Sequence, residues 1–244
     1  MLSKIINLLK IKKELKALEK ELKTVPEGRL NRKGKYYYHL VGRKEVAITK
    51  DLSLIKRLCR KAYVTARITQ LQNNLSKPIE EFDHRTPREL ITSLSKTYQD
   101  APISYFYHPS VEKWLAKEKK QNPYPMQNGF RTSLHKILLR SKSEHIIASL
   151  LEEYGLLYKY DTELVIGGKS KYPDFQIINP FTGKTVIWEH FGALNQPSYK
   201  ASMDEKMKLY AQAGYISNET IIFTFEIDII SENRLRDLIE QVIL

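Results

Sequence analysis

The spacing of apolar residues predicts an amphipathic helix at the start of the chain. Leucines and isoleucines recur at intervals of about three and four between lysines and glutamates, which is the period of a helix with one apolar face. They are Leu8, Leu9, Ile11, Leu15, Leu18 and Leu22. Pro26 and Gly28 end the pattern. Since about two heptads are too few for an independent coiled coil, we expect this helix to pack on its own protein, on a second copy or on a partner protein.

A β-hairpin and a second long helix are predicted next. Two short β-prone runs, 35–40 and 45–48, flank a turn at 41–44. Tyr36, Tyr37 and Tyr38 lie on this hairpin, where they either stack on bases or pack on a helix. Helical spacing resumes at 51–75. The basic residues on the other faces of this helix are the predicted phosphate contacts. They are Lys56, Arg57, Arg60, Lys61 and Arg67.

The rest of the chain divides into an irregular segment and an α/β pattern. Residues 76–139 carry short helical patterns interrupted by prolines. The following patterns are helix, three strands, helix, strand and helix. They cover 141–154, 158–166, 172–178, 185–191, 199–213, 220–225 and 232–242. The sequence thus predicts a basic helical module with a small hairpin (1–75), a connecting segment (76–139) and an α/β domain (140–244).

The positive charge of the chain is concentrated at its N-terminal end. The whole sequence carries 40 Lys and Arg against 28 Asp and Glu, a net charge of +12. Residues 1–72 alone hold 19 basic and 6 acidic residues, a net charge of +13. A nucleic-acid partner explains this asymmetry, because lysine and arginine displace counterions from phosphates. The alternative is a helix surface kept solvated by lysines.

Composition also bears on the compartment. No apolar run approaches the roughly 18 residues of a membrane span. The first 23 residues lack an uninterrupted apolar stretch and a small-residue cleavage site, so we expect no secretory signal. Cys59 is the single cysteine, and one thiol forms neither an internal disulfide nor a cysteine-based zinc site. We therefore expect a cytoplasmic protein that does not enter a membrane.

Two carboxylates in the α/β region are the predicted metal ligands. The strands at 172–178 and 185–191 flank a turn with Asn179, Pro180 and Gly183. If the hairpin is centred between residues 181 and 182, Asp174 and Glu189 lie equally far from its centre and become cross-strand neighbours, with Cβ atoms about 5 Å apart. Paired carboxylates suit Mg²⁺ or Mn²⁺. The alternative is that both acids lie at strand ends and face solvent.

Three motifs in order carry a resemblance to a known family. RSKSE occupies 140–144, YPDF occupies 172–175 and WEHFG occupies 188–192. In this order of elements the chain resembles the PD-(D/E)XK nuclease superfamily, and more narrowly a group of bacterial proteins with these motifs. The resemblance covers about 105–244 and extends loosely to the N-terminal hairpin and helix. It implies a restriction-endonuclease-like mixed sheet flanked by helices and a Mg²⁺-dependent or Mn²⁺-dependent nuclease, with DNA preferred to RNA as substrate.

One position departs from the superfamily pattern. The superfamily places a lysine two residues after the acid, where this chain has Phe191. Members of the superfamily also supply the lysine from the following helix, and of Lys206 and Lys208 the better match is Lys206. Its ammonium is expected to stabilise charge in the transition state or to orient the attacking water. The alternatives are that Lys206 is a surface residue and that His190 takes its place.

Two further acids each have alternative roles. Glu144 either closes a capping box with Ser141 or, as the resemblance implies, binds the metal directly or through water. Asp161 is either an additional ligand or a strand-end charge. The predicted function is phosphodiester hydrolysis by Asp174, Glu189, Lys206 and Glu144. The alternatives are an inactive nuclease fold that binds nucleic acid, an RNase, and a docking or dimerising protein of a host-defence or mobile-element system.

Overall fold

A computed structural model describes residues 2–126, 129–132, 134–192 and 197–244. The chain forms two compact units, Met1–His108 and Pro109–Leu244. The predicted connecting segment, 76–139, is therefore divided between the two units. No helix in the described ranges combines the length and the apolar character that crossing a membrane requires.

The first unit contains the two predicted helices and the predicted hairpin. Its main elements are α1 (Leu2–Leu22), β1 (Arg29–Lys33), β2 (Tyr36–Val41), β3 (Lys44–Ala47) and α2 (Leu52–Leu75), followed by the short helices α3 (Pro87–Thr92) and α4 (Lys96–Gln99). The hairpin is β2 and β3, and β1, which was not predicted, pairs antiparallel with β2. Asp51 begins α2, since its carboxylate accepts a hydrogen bond of 2.9 Å from Leu54 N.

Helix α1 packs on α2 of its own protein, which was one of the expected arrangements. Leu18 of α1 is buried. Two bidentate ion pairs join the helices, Glu21 with Arg60 and Glu14 with Arg67. After α1, Gly28 has a φ of 80°, and a Cβ there would lie 2.3 Å from Leu40 O. The chain therefore needs a glycine to enter β1 at this point.

The second unit is mixed α/β, as predicted. In chain order it contains α5 (Ser110–Ala116), β4 (Phe130–Arg131), β5 (Leu138–Leu139), α6 (Lys142–Glu153), β6 (Leu157–Tyr160), β7 (Leu164–Ile166), β8 (Lys169–Lys171), β9 (Phe175–Ile178), β10 (Thr185–Phe191), α7 (Pro197–Gln212), β11 (Ile221–Phe225), α8 (Glu226–Ile229) and α9 (Glu232–Leu238). Within the described residues the main sheet has the order β11-β10-β9-β6. Strands β10 and β11 are parallel and the other pairs are antiparallel.

Alternation along the strands gives the sheet two apolar faces. One face packs against α6 and α9, with Ile147, Phe175, Trp188 and Leu235 in its core. The other face carries Ile187 and Ile221 and is covered by α7 through Tyr210. Because Glu189 lies two residues after Ile187 on β10, it shares the α7 face.

The predicted strand at 158–166 is divided into two strands, β6 and β7, because the chain leaves the main sheet after Tyr160. Asp161 has a φ of 50°, and the following residues form β7, which pairs with β8 in a separate hairpin. The predicted strand at 172–178 begins only at Phe175. The last predicted helix, 232–242, is α-helical to Leu238 and continues as a π-helical turn, Ile239–Ile243.

Candidate active site

The register of β9 and β10 brings Asp174 and Glu189 to one level of the sheet. Thr185 pairs with Ile178 and Trp188 pairs with Phe175, so the hairpin is centred between residues 181 and 182, as predicted. Continuing this register by one residue places Asp174 opposite Glu189. The turn is held by Asn179, whose Oδ1 accepts hydrogen bonds from the backbone N of residues 181 and 182 at 2.9 and 3.1 Å.

Asp174 is held from both neighbouring strands. Its Oδ2 accepts a hydrogen bond of 2.6 Å from His190 N on β10. Its carbonyl oxygen accepts one of 3.0 Å from Asp161 N, which follows β6. The side chain is partly buried, and from the described part of the chain no hydrogen bond reaches its Oδ1.

Glu189 is buried, and each of its carboxylate oxygens accepts a hydrogen bond from α7. Its side chain is 1% exposed. Oε1 accepts a hydrogen bond of 2.5 Å from the Tyr210 hydroxyl, and Oε2 accepts one of 2.6 Å from Lys206 Nζ. Lys206 and Tyr210 lie one turn apart on the same face of the helix. The helix thus supplies a cation and a neutral donor to the same carboxylate.

The site carries more negative charge than its surroundings stabilise. Burial raises the pKa of Asp174 well above its usual range, and the charge of Glu189 raises it further. Burial also raises the pKa of Glu189, although Lys206 and Tyr210 oppose the shift. Burial alone lowers the pKa of the Lys206 ammonium, but the charges of Glu189 and Asp174 outweigh this effect and raise it. Both acids therefore favour a further cation or a proton.

Lys206 reaches Glu189 from α7, and Phe191, at the position where the superfamily has its lysine, packs among aromatic residues. Phe191 is 4% exposed and stacks with Phe223 and Phe225 at centroid distances of 5.9 and 6.0 Å. Lys206 Nζ lies 6.0 Å from the centroid of the Phe191 ring. Lys208, two residues further along α7, is exposed. Of the two lysines considered from the sequence, Lys206 is the one that contacts Glu189.

Glu144 is near the site but is engaged elsewhere. Its backbone N donates to Ser141 Oγ at 3.2 Å, as in a capping box. Its carboxylate does not close the box; Oε2 accepts hydrogen bonds from Arg140 N at 3.0 Å and from the Tyr160 hydroxyl at 2.5 Å. Its charge nevertheless contributes to the raised pKa of Asp174.

Asp161 directly follows β6 and lies beside Asp174, to which its backbone N donates a hydrogen bond. Its carboxylate accepts hydrogen bonds from Arg140 Nε at 2.6 Å and Asn122 Nδ2 at 2.8 Å. Asp161 therefore pairs with the first residue of the RSKSE motif. From the sequence, Asp161 was either a metal ligand or a charge at a strand end. Its contacts with Arg140 and Asn122 are those of a paired charge.

A chain of hydrogen bonds fixes His190 on the opposite face of the sheet. Trp188 Nε1 donates to Thr224 Oγ1 at 2.9 Å, and Thr224 Oγ1 lies 3.2 Å from His190 Nδ1. Since an indole N–H only donates, Thr224 Oγ1 is the acceptor in its contact with Trp188. The other ring nitrogen, Nε2, lies 3.4 Å from Glu226 Oε1. The imidazole therefore lies on the face of the sheet opposite to that of Glu189 and Lys206.

Tyr210, Thr224 and Glu226 were not assigned to the site from the sequence. Tyr210 lies at helical spacing from Lys206, and this spacing was the signal available for it. Thr224 and Glu226 lie at the end of β11 and have no local motif. The parallel pairing of β10 with β11 brings Thr224 beside His190.

Asp174 and Glu189 fit a divalent cation by the chemistry of their donors. Their carboxylate oxygens are hard ligands of the kind that Mg²⁺ and Mn²⁺ prefer. Burial raises the pKa of both acids, and a cation beside them would favour their ionised form. Among the described residues, no three His, Cys, Asp or Glu side chains gather closely enough to hold a metal ion. The fit therefore rests on two carboxylates, with water or substrate as the remaining ligands.

The proposed phosphate contacts on α2 have divided roles. Arg60 is buried and also donates to Phe106 O at 3.1 Å, besides its pair with Glu21. Arg67 pairs with Glu14, and Lys61 donates to two backbone carbonyl oxygens, both at 2.9 Å. These three side chains therefore have partners within the first unit. Arg57 is exposed and donates a long hydrogen bond, of 3.4 Å, to Thr24 O. Lys56 is partly exposed, with Nζ 5.9 Å from the Tyr105 ring centroid.

Comparisons of the chain with protein-family models, with curated proteins and with solved structures gave no match. A functional assignment therefore depends on the residues and geometry of the site.

Proposed function

We propose that this protein is a metal-dependent nuclease that hydrolyses phosphodiester bonds, with DNA as the preferred substrate. The observation that carries the proposal is the cluster of Asp174, Glu189 and Lys206 at one level of the sheet. The register of β9 and β10 sets the two acids opposite each other, and Lys206 Nζ lies 2.6 Å from Glu189 Oε2.

The order of elements supports the same proposal. The main elements follow in the order α6, β6, β9, β10, α7 and β11. They form a mixed sheet in which, among the described main-sheet strands, only the pair β10 and β11 is parallel. This order is the one expected for a restriction-endonuclease-like domain of the PD-(D/E)XK superfamily. RSKSE spans the start of α6, YPDF leads into β9, and WEHFG lies at the end of β10. The resemblance expects the catalytic residues in these motifs.

Asp174 and Glu189 are the residues that would hold Mg²⁺ or Mn²⁺. When bound, such a cation polarises the phosphate and lowers the pKa of water. The backbone N of His190 fixes the orientation of Asp174, and the Tyr210 hydroxyl fixes that of Glu189. These two contacts leave the carboxylates little rotational freedom, which is the preorganisation that a catalytic metal site requires.

Lys206 is proposed to stabilise the charge that develops on the phosphate oxygens. The carboxylates beside it raise its pKa, so the ammonium stays protonated at neutral pH. A partly exposed side chain can contact both Glu189 and a bound phosphate. Glu144, predicted as a further metal ligand, is assigned a supporting role here, because its carboxylate holds Tyr160 and its charge acts on Asp174.

The test is cleavage of supercoiled plasmid, single-stranded DNA and RNA with Mg²⁺, with Mn²⁺ or with a chelator. Asp174→Asn and Glu189→Gln should each abolish metal-dependent cleavage. Lys206→Ala should reduce the rate by about 100-fold or more, as expected for the loss of one transition-state charge contact. Lys208→Ala, an exposed lysine on the same helix, is the matched control and should cleave at the wild-type rate.

The outcomes separate the proposal from its rivals. Nucleic-acid binding without cleavage under any metal condition would identify an inactive nuclease fold. Cleavage confined to RNA would identify an RNase. If Lys206→Ala cleaves normally and His190→Ala is inactive, the lysine assignment is wrong. Calorimetric titration with Mn²⁺ gives a second readout, and equal affinity in the wild type and in Asp174→Asn would contradict the shared metal site.

A further inference from the structure

The first unit presents an exposed sheet face rich in aromatic and basic side chains. Tyr36 pairs with Lys33, Tyr38 with Asn31 and Leu40 with Arg29. Because side chains alternate along a strand, these residues point to the same side of the sheet. We call this surface the tyrosine face; its members are Arg29, Asn31, Lys33, Tyr36, Tyr38 and Leu40.

The opposite face of the sheet is the packed one. Leu30 is buried there, and Arg32 pairs with Asp100, which follows α4, at 2.6 Å. Burial raises the pKa of Tyr37, the neighbour of Tyr36 on that side. Tyr36, by contrast, is 50% exposed. The alternation thus places Tyr37 on the packed face and leaves Tyr36 and Tyr38 on the tyrosine face.

Lysines lie above the rings of this face. Lys35 Nζ is 5.5 Å from the Tyr36 centroid and Lys33 Nζ is 5.0 Å from the Tyr38 centroid. Glu45 of β3 pairs with Lys33 and also accepts a hydrogen bond of 2.6 Å from Asn31. The rings therefore lie among cations, of which one already has an acidic partner.

The charge of the unit favours a polyanion. Residues 1–108 hold 23 of the 40 basic residues and 11 of the 28 acidic ones, a net charge of +12. Residues 109–244 hold equal numbers of basic and acidic residues. Since Arg60, Lys61 and Arg67 on α2 are occupied by internal contacts, the exposed cations that remain include those of the tyrosine face.

We propose that the tyrosine face binds single-stranded nucleic acid, with Tyr36 and Tyr38 stacking on successive bases. Residues two apart on a strand are about 7 Å apart, which leaves room for a base on each ring. Small sheets with exposed aromatic rings bind single strands in this way, because the base faces are accessible only when the strands are separated. This inference deepens the proposed function and rests on it for the role of the bound strand.

The experiment measures binding of the full chain in chelator, so that metal-dependent cleavage does not interfere. Labelled single-stranded DNA, RNA of the same sequence and the corresponding duplex, each of about 12 nucleotides, are titrated by fluorescence anisotropy. Replacing both Tyr36 and Tyr38 with alanine should weaken binding of single strands by about tenfold or more. Tyr36→Phe should bind as the wild type does, because the ring is kept.

Val46→Ala is the matched control. Val46 is 60% exposed and pairs with His39 on the other face of the same sheet, so its removal should leave binding unchanged. Lys35→Gln should lower the slope of log K against log salt by about 0.7 if this lysine contacts a phosphate. Circular dichroism checks that each variant is folded. If the double variant fails to fold, Tyr36→Ala, at a half-exposed position, decides the question.

The results separate this inference from the proposed function. Loss of single-strand binding in the Tyr36 and Tyr38 alanine variants supports the tyrosine face as a binding surface, even if the wild type cleaves nothing. Preference for RNA over DNA supports it and adds a 2′-hydroxyl contact. Unchanged binding in the tyrosine variants, equal effects on duplex binding, or a Tyr36→Phe protein as weak as the alanine variant would each overturn it. A change of oligomeric mass in the double variant would instead make the tyrosine face an interface between copies.

Discussion

Replacing Asp174 with asparagine should stabilise the second unit at neutral pH in metal-free buffer. The folded structure disfavours ionised Asp174, because the side chain is partly buried and lies opposite the charge of Glu189. Within the described residues, Lys206 contacts only Glu189 of this pair. Asparagine keeps an oxygen that can accept the hydrogen bond from His190 N, and it removes the charge. The variant should therefore lose catalysis and gain stability.

The size of the effect follows from proton linkage. An unfolded aspartate has a pKa of about 3.9, and the folded value is higher. Between the two values the folded state binds more protons than the unfolded state, so the free energy of unfolding decreases as pH rises through this window. The decrease is at most about 1.4 kcal/mol per pH unit for one proton. Each 1 kcal/mol corresponds to about 2–4 °C in Tm for a chain of this size.

Tryptophan fluorescence makes the assay specific for the second unit. The two tryptophans of the chain, Trp114 and Trp188, both belong to it. Thermal unfolding is followed in chelator from pH 5 to pH 8, where the wild-type Tm should fall more steeply than that of Asp174→Asn. Asp237→Asn, at an exposed position on α9, is the control and should keep the wild-type slope.

A divalent cation provides the complementary measurement. At about 100 times its Kd, a cation bound to the folded state adds about 2.7 kcal/mol. Mn²⁺ should therefore raise the wild-type Tm and leave Asp174→Asn nearly unchanged. Equal pH slopes for the two proteins would refute the reasoning, because they would mean that Asp174 keeps an ordinary pKa in the folded protein. A Tm of the variant below that of the wild type at pH 8 would refute it as well.

Two more predictions concern buried polar contacts. Arg60→Met should destabilise the first unit by about 3 kcal/mol, since it leaves Glu21 without its partner. Arg57→Ala should leave the stability unchanged. It should lower the slope of log K for duplex DNA against log salt by about 0.9. Far-UV circular dichroism measures the stability, and salt titrations measure the slope. A stable Arg60→Met protein, or an unchanged slope for Arg57→Ala, would contradict the structural role of Arg60 and the phosphate-binding role of Arg57. Thr224→Val should cost about 1–3 kcal/mol by leaving Trp188 Nε1 buried without an acceptor, with Thr224→Ser as the control; equal Tm values by tryptophan fluorescence would contradict it.

The parts of the site set by short-range patterns could be predicted from the sequence. The turn at Asn179 and the alternation of two β-prone runs determine the register, and the register determines that Asp174 faces Glu189. Helical spacing likewise distinguishes Lys206 from Lys208, because residues two apart on a helix point in different directions. These features depend on a few neighbouring residues, so one sequence contains the information they need.

Features that depend on distant partners could not be predicted in this way. Arg60 and Arg67 have the spacing of a basic helix surface. However, they form ion pairs with Glu21 and Glu14, which lie 39 and 53 residues away in sequence. The strand break after Tyr160 has a similar origin, since Arg140 holds the carboxylate of Asp161 from 21 residues away. In both cases charge and β-propensity were visible in the sequence, and the tertiary partner that redirects them was not.

The position of Phe191 connects the core of the second unit with its site. Glu189 and Phe191 are two residues apart on β10 and share a face, so one of them supplies the carboxylate and the other packs with Phe223 and Phe225. A lysine in place of Phe191 would lose this packing and bring a charge into the apolar layer beneath α7. Supplying the ammonium from the helix avoids that cost, but it makes the site dependent on helix packing. Tyr210, fully buried and hydrogen-bonded to Glu189, is the residue that ties the two together, because the contact that orients the carboxylate also sets the helix turn from which Lys206 reaches it.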